Sequence, residues 1–425
     1  MNLFSIKYSL RSFFRDIVRG WWARLVIYPR ISKNEFSLTD LKQYTSQKSK
    51  SKKSIDEDLT LQKLETPDST IDKNDIITNS KSFILPYTIK TLFRNKISTS
   101  GSTGRPLTIT QDLGTSVKEE AFVYRQLRWA GYQHGDRRAW LRGDVVCNGK
   151  PHRGIYGCRD WWSNTLMLSA YHISTLSAQS YLDALKAFDP ILIQAYPSSI
   201  HALASWMVAN NISYNGSSLR AIVTSSETLE PEVQECIEQA FGCRVFDWYG
   251  QAERVTAIGT CEYGSHHVLT DYGRVELLPE SDDLYELIGT SYNNCAMQLV
   301  RYRTGDLVRT TSEVCPCGRT FPIIKTIIGR RDKIITLTDG RQISRLGHLF
   351  KGMDSVVEGQ VVYRGENQFI LRVVAGPNWR TSDDHLLVHR LTERVGHVTA
   401  TVEMVTAIPR GANGKFEFIR IEEDA

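Results

Sequence analysis

Residues 221–253 read AIVTSSETLEPEVQECIEQAFGCRVFDWYGQAE, and the architecture follows from this stretch. Ala221 to Val223 is a short apolar run of strand character, Pro231 to Phe241 has the spacing of a helix, and Val245-Phe246 opens a second strand. Strand, helix and strand in succession make αβ layers with at least one largely parallel sheet. The same rhythm recurs upstream, in the run Ile191 to Ile193 and the helical stretch Ile200 to Val208, and extends from about Ile97 to Ile328. After Gly329 the pattern changes to strands around Val356–Tyr363 and Gln368–Val374, a helix over Ser382–Val395 and a strand over Val398–Val405. The expected fold is therefore α/β. A large N-terminal multi-layer αβ domain, residues 1–330, has β-sheets flanked by helices, and a hinge near Gly329-Arg330-Arg331-Asp332 joins it to a small C-terminal α+β domain, residues 331–425.

With 425 residues, 41% hydrophobic and 23% charged, the chain has the composition of a globular protein with more than one core. Its net charge of +5 arises near the N-terminus, where Lys7, Arg11, Arg15, Arg19, Arg24 and Arg30 face Asp16 alone. The remainder is near neutral, which argues against nucleic acid as a partner. No apolar run reaches bilayer-spanning length, and arginines interrupt any signal-peptide core, so a cytoplasmic location is expected. Residues 1–30 have the pattern of an amphipathic helix, with Phe14, Val18, Trp21, Trp22 and Leu25 among the apolar positions. Such a helix docks on the main domain, or lies as a basic helix on the anionic inner face of the membrane. The Ser/Lys-rich stretch from about Thr45 to Asp58 carries little pattern and reads as a mobile surface segment.

Four further motifs carry chemistry. In Ser98-Thr99-Ser100-Gly101-Ser102-Thr103-Gly104-Arg105-Pro106, glycines allow close backbone approach and hydroxyls can wrap polyphosphate oxygens. The motif is not a Walker A loop, because no Gly-Lys-Ser/Thr closes it. In Asp247-Trp248-Tyr249-Gly250-Gln251-Ala252-Glu253, an aromatic ring at a strand end can stack on a base, and the carboxylate four residues on can hold Mg²⁺. Arg301-Tyr302-Arg303-Thr304-Gly305-Asp306 sets a carboxylate beside a tight turn, able to accept from two ribose hydroxyls. Pro409-Arg410-Gly411-Ala412-Asn413-Gly414-Lys415 presents one ammonium group on a glycine-rich loop. Singly each is an ordinary turn or a solvated charge. A separate set, Cys261, His266, His267 and Cys315-Pro316-Cys317-Gly318, offers three thiolates and an imidazole, a closed tetrahedral structural Zn²⁺ site.

In order, with Ser225-Ser226-Glu227-Thr228-Leu229 and Gly329-Arg330-Arg331-Asp332, these motifs resemble the core motifs of the adenylate-forming superfamily of acyl-CoA synthetases, peptide-synthetase adenylation domains and luciferases. The match is best with its phenylacetate–CoA ligase and CapK-like branch, and it runs from about Ile97 to the C-terminus. The resemblance implies an acid–thiol ligase that uses ATP to activate a carboxylic acid as an acyl-adenylate and transfers it to CoA, or to a sugar or amine acceptor in surface-polysaccharide synthesis. It implies that Thr99, Ser100, Gly101, Ser102, Thr103 and Gly104 hold the phosphates. Ser226, Glu227, Tyr249, Gly250 and Gln251 lie at the nucleotide, Glu253 holds Mg²⁺, Asp306 holds the ribose and Arg330 lies near the hinge. Lys415 and Glu253 are the catalytic residues, Lys415 reaching the carboxylate and α-phosphate, and Asp332 is the hinge. For zinc it favours Cys261, His267, Cys315 and Cys317, with His266 as the alternative histidine. Tyr156, Trp161, Trp162, Tyr196, Pro197 and Ser198 are candidates for the acyl pocket. Two other readings are an adenylyltransferase of the coenzyme F390 synthetase type and a non-enzymatic zinc-containing scaffold or nucleic-acid-binding protein.

Overall fold

The computed structural model describes residues 3–49, 61–63, 70–98, 107–146, 156–330, 335–338, 342–343, 346–350, 353, 355–396, 398–410 and 416–422. They form two compact units, one of Met1–Ser9, His134–Val245 and Asp332–Ala425, the other of Leu10–Gln133 and Phe246–Arg331.

In the first unit the strands Ala221–Ser225, Leu192–Ala195, Arg138–Arg142 and Thr165–Ser169 run parallel in that order, and Gly157–Asp160 pairs antiparallel at the edge. Parallel strands need crossovers; the helices Ala178–Phe188 and Pro197–Ala209 supply two of them, and Ala221–Ser225 is followed by the helix Pro231–Phe241. The latter two begin at proline, which has no N–H to leave unpaired in a first turn. Leu182, Leu185, Ile193, Leu203, Ile222 and Ile237 are wholly buried where helices meet sheet. Both faces of the strand Ala221–Ser225 are covered, and its sequence accordingly lacks polar alternation.

The C-terminal residues of this unit build a second sheet in the order Thr399–Met404, Gln368–Ala375, Val356–Tyr363 and Ile419–Ile421, with the helix Thr381–Val395. The expected strand–strand–helix–strand run is present, and a short final strand is added, parallel to Val356–Tyr363. Leu371, Val373, Leu387 and Leu391 close its separate core.

The second unit has a different construction. The strands Gly273–Ser281, Leu284–Ser291, Tyr302–Thr310, Ile323–Arg330 and His266–Val268 pair antiparallel, followed by Ala257–Thr260 and Arg244–Gly250. Short connections replace crossover helices, so the αβ alternation stops at about residue 245. The hairpin of Arg94–Ser98 and Thr108–Asp112 pairs Ser98 with Thr108, at the two ends of the glycine-rich motif. Asp112 then caps the helix Leu113–Trp129 by accepting from the Thr115 N–H at 3.0 Å. A bidentate ion pair between wholly buried Arg125 and Asp271 (2.7 and 3.0 Å) also takes a hydrogen bond from Asn34 Nδ2 at 2.9 Å. It ties the N-terminal segment to this unit.

The N-terminal segment is helical from Leu3 to Ser32 through wide turns at Asp16–Gly20 and Ala23–Ile27. Thr45–Ser49, read from the sequence as part of a surface segment, instead ends the helix Leu38–Ser49. Leu41 anchors that helix in the core, and the Thr45 hydroxyl donates to the Leu41 carbonyl at 3.0 Å. Among the described residues no helix is long and apolar enough to cross a membrane.

Candidate functional site

In the second unit Tyr249, Glu253, Asp306 and Arg330 come together from the strand Arg244–Gly250, the turn after it and the paired strands Tyr302–Thr310 and Ile323–Arg330. Asp306 pairs opposite Arg330 in the ladder of Tyr302–Thr310 with Ile323–Arg330, and Arg330 Nε lies 3.9 Å from Asp306 Oδ1. Arg330 Nη1 also donates to the Thr304 carbonyl at 3.2 Å. The Tyr249 hydroxyl, at the end of the strand Arg244–Gly250, donates to Asp306 Oδ2 at 2.6 Å, and Gln251 Nε2 reaches the same hydroxyl at 3.4 Å. The turn at Gly305 has φ +72°, a conformation that costs glycine little. A Cβ there would come within 3.7 Å of the Arg330 guanidinium. The register of Tyr302–Thr310 shifts against both neighbouring strands at or just after the motif, the kind of irregularity that re-aims side chains.

Glu253 is 7% exposed and accepts from the Tyr302 hydroxyl at 3.0 Å. Burial pushes the Tyr249 and Tyr302 hydroxyls well above the ordinary tyrosine range, and the Asp306 and Glu253 carboxylates push both further. Each tyrosine thus feels both acids, so the two carboxylates share one neighbourhood. The tyrosines stay neutral donors, and the carboxylates keep acceptor capacity for hydroxyls or a hard cation.

A second group forms in the first unit at the loop after the strand Ala221–Ser225. Ser226 has φ +74°, a strained conformation of the kind that clusters at functional loops. The Arg142 guanidinium holds its hydroxyl at 2.6 Å. Glu227 accepts from the Ser198 N–H (3.0 Å), the Ser198 hydroxyl (3.1 Å) and the Phe416 N–H (2.6 Å). Burial raises the Glu227 carboxyl, an effect these donors oppose. The last bond joins residues 189 apart in sequence, and Phe416 directly follows Lys415. Beside it Arg410 pairs with partly buried Glu358 and lies over the Phe416 ring, 4.5 Å from its centroid.

Thr99, Ser100, Gly101, Ser102, Thr103, Gly104, Lys415 and Asp332 lie outside the described residues. Of the acyl-pocket candidates, Trp161 and Trp162 are surface residues, 54% and 50% exposed. Tyr156 stacks on Tyr181 in the core (5.0 Å), and Ser198 is committed to Glu227. Sequence reasoning assigned no role to Tyr302, Thr304, Arg142 or Arg410, although three of them stood inside quoted motifs. Nothing in a one-dimensional pattern marks which neighbour a side chain will bond.

Cys261, His267, Cys315 and Cys317 form the third group, with their ligand atoms all within 4.8 Å of one another. Cys261 Sγ lies 3.5 Å from Cys315 Sγ, and Cys317 Sγ lies 3.3 Å from His267 Nε2. A tetrahedron with Zn–S bonds of about 2.3 Å has ligand separations of roughly 3.8 Å, so the set fits a zinc ion. The Phe321 carbonyl holds His267 Nδ1 at 3.1 Å, the outer-shell contact that orients a ligating imidazole. The Cys317 thiol accepts from the Arg319 N–H at 3.4 Å, as in a zinc knuckle. His266, one residue away on the strand, is turned to the Thr260 hydroxyl at 3.2 Å.

The AMP-binding enzyme family model matches residues 93–318, and the CapK C-terminal domain model matches residues 335–422. Protein CapK of Staphylococcus aureus is 26% identical over 354 residues, which cover 82% of this chain and 78% of that protein. The phenylacetate-coenzyme A ligase of Thermus thermophilus is 26% identical over 252 residues, covering 56% of this chain and 55% of that one. The chain thus spans about half the length of that ligase. Among solved structures, 2-hydroxyisobutyryl-CoA ligase in the postadenylation state in complex with 2-HIB-AMP has TM-score 0.63 at 17% identity, covering 92% of this chain and 88% of that one. That likeness establishes the fold: an α/β adenylate-forming ligase architecture. With more than half of its length matched by the family model, the chain belongs to the AMP-binding enzymes, in the CapK- and phenylacetate–CoA ligase-like branch of the adenylate-forming superfamily.

Proposed function

We propose that the protein activates a carboxylic acid with ATP and transfers the acyl group to CoA or to a sugar or amine acceptor, in the service of surface-polysaccharide synthesis. A carboxylate oxygen of the acid attacks the α-phosphorus of ATP, the Pα–O bond to the β-phosphate breaks, and pyrophosphate leaves with the electron pair. The acceptor nucleophile then attacks the acyl carbon, loses its proton to solvent or a base, and AMP departs. Negative charge builds at the α-phosphate in the first step, and positioned charge is what lowers such a barrier.

Each residue group has a task in this reading. Asp306 accepts from the ribose hydroxyls, with Tyr249 and Arg330 fixing its orientation. Residues 99–104, Ser226, Gly250 and Gln251 hold the rest of the nucleotide. Glu253, held by Tyr302, is the ligand for Mg²⁺, which when bound would neutralise phosphate charge. Lys415 brings its ammonium to the reacting carboxylate. The zinc set holds two loops of the second unit in place and takes no part in the chemistry. Residues 331–425 act as the small domain, and rotation at Asp332 withdraws Lys415 before transfer. The reaction runs in the cytoplasm, and residues 1–30 bring the protein to the inner face of the membrane.

The single observation that supports this reading most is the bond from the Phe416 N–H to Glu227. It ties the residue after Lys415 to the Ser225-Ser226-Glu227 motif, which is the association this reading uses. The alternatives, an F390-synthetase-type adenylyltransferase or a zinc scaffold, find no support among the relatives. The test is ATP–pyrophosphate exchange against a panel of aryl, fatty and hydroxy acids. Exchange that depends on one acid class supports the proposal, and nucleotide binding without exchange for any acid overturns it.

A further inference from the structure

Between Leu10 and Ile31, within the second unit, the helical segment is inverted relative to an ordinary docked helix. From Ser12 to Ala23 its inner face is small or polar, with Ser12, Asp16, Gly20 and Ala23 buried, and beyond it Ile27, Tyr28 and Ile31 pack into the core. Gly20 leaves room there for the Asp16–Arg24 ion pair, since a Cβ would lie 2.2 Å from Asp16 Oδ1 and 2.9 Å from Arg24 Nη1 and would displace those side chains. Up to Leu25, most of the large apolar side chains point away from the body. Leu10, Phe14, Ile17, Trp21, Trp22 and Leu25 are 52–68% exposed, and they recur at spacings of three and four, one continuous stripe. Isolated exposed apolar residues are normal, but a contiguous row marks an interaction surface.

Charge identifies the partner. Arg11 and Arg30 are exposed and Arg15 is half-buried, and Arg11 and Arg15 flank the stripe beside Phe14 and Val18. Before Glu35 the only acid is Asp16, and it is buried against Arg24. Arg19 is paired with Glu120 of the neighbouring helix at 3.4 Å, so the outward face is apolar at its centre and its unpaired charge at the edge is cationic, with no exposed acid contributed by the segment itself. A second copy laid on it would set arginine against arginine, whereas an anionic headgroup layer complements it. Two adjacent tryptophans at the crest suit the boundary between headgroups and acyl chains.

We propose that Leu10–Ile31 is an in-plane anchor for an anionic bilayer, with Phe14, Ile17, Trp21, Trp22 and Leu25 entering the lipid boundary and Arg11 and Arg15 on headgroup phosphates. This inference rests on and deepens the membrane placement proposed above, and it is independent of the acyl chemistry. The test uses the full chain in co-sedimentation with vesicles of phosphatidylcholine alone or mixed with phosphatidylglycerol, at low and high salt. Binding is expected to the anionic vesicles and to weaken with salt. Arg11→Gln with Arg15→Gln lowers the partition coefficient about 30-fold, at about fivefold per lost charge. Trp21→Ser with Trp22→Ser lowers it at least about 100-fold, from the area of two half-immersed rings. Both variants replace side chains outside the core and the site, so melting temperature and vesicle-free pyrophosphate exchange stay at wild-type values. Failure of the wild-type chain to bind anionic vesicles overturns the proposal, as does equal binding to neutral ones. Concentration-dependent dimerisation that the tryptophan variant abolishes also overturns it, because a second copy then covers the face.

Discussion

Asp306→Asn isolates the charge at the centre of the candidate nucleotide site while keeping its shape. Two unit charges 3.9 Å apart attract by about 4 kcal/mol at an effective dielectric constant near 20. Arg330 is 38% exposed, and solvent cuts that attraction to on the order of 1 kcal/mol. The Tyr249 hydroxyl keeps an acceptor in the amide but loses a charged one, roughly another 1 kcal/mol. Folding stability should therefore fall by about 2 kcal/mol, a loss that leaves the protein folded at room temperature. The nucleotide is affected more. A carboxylate can accept from both ribose hydroxyls, whereas an amide accepts from one and presents N–H groups to the other, so about 3 kcal/mol of binding is lost. The ATP dissociation constant, read by titration calorimetry without need of the acid substrate, should rise about 100-fold. Tyr249→Phe, which leaves the charge but frees its orientation, should raise it about fivefold. An Asp306→Asn protein that binds ATP within about threefold of wild type while melting as expected would refute the assignment.

Three further outcomes follow from the same structure. Lys415→Ala should lower acid-dependent pyrophosphate exchange by roughly two to three decades while leaving the ATP dissociation constant nearly unchanged, since the ammonium acts on the developing charge. One zinc per chain should be found by metal analysis, and Cys317→Ser should lose it and lower the melting temperature, with exchange falling only in proportion to unfolded protein. His201, whose ring lies 3.1 Å from the Ser205 hydroxyl, is pushed by burial and by Arg410 down from 6.5 to about 4. A histidine with a depressed folded-state value contributes stability that is present above 6.5 and is lost as pH falls toward that lower value. Melting temperature should therefore decline through this interval, and His201→Gln should flatten the decline.

Periodicity and motif order made the broad fold legible. The parallel strands of the first unit are continuous apolar runs because both faces are covered, and the C-terminal strand–strand–helix–strand run keeps its alternating spacings. The antiparallel half was less legible, because bulges at Glu286/Ile288 and Leu307/Val308 break the two-residue alternation on which strand reading depends. The final strand Ile419–Ile421 is too short to show a period.

By itself the sequence determined which residue types were available for chemistry and in what order: carboxylates at Glu253 and Asp306, three thiols and two adjacent histidines, a basic apolar N-terminus. Tertiary structure alone decided their partners. It chose His267 over His266 for the thiol cluster because neighbours on a strand face opposite ways. It put Tyr302 on Glu253 and Tyr249 on Asp306, contacts between residues 49 and 57 apart in the chain. It also turned the tryptophans of the N-terminal helix outward, because the buried Asp16–Arg24 pair and Gly20 occupy the inner face. Local pattern records spacing along one chain segment, and contact depends on which surfaces the fold brings within a few ångströms of one another.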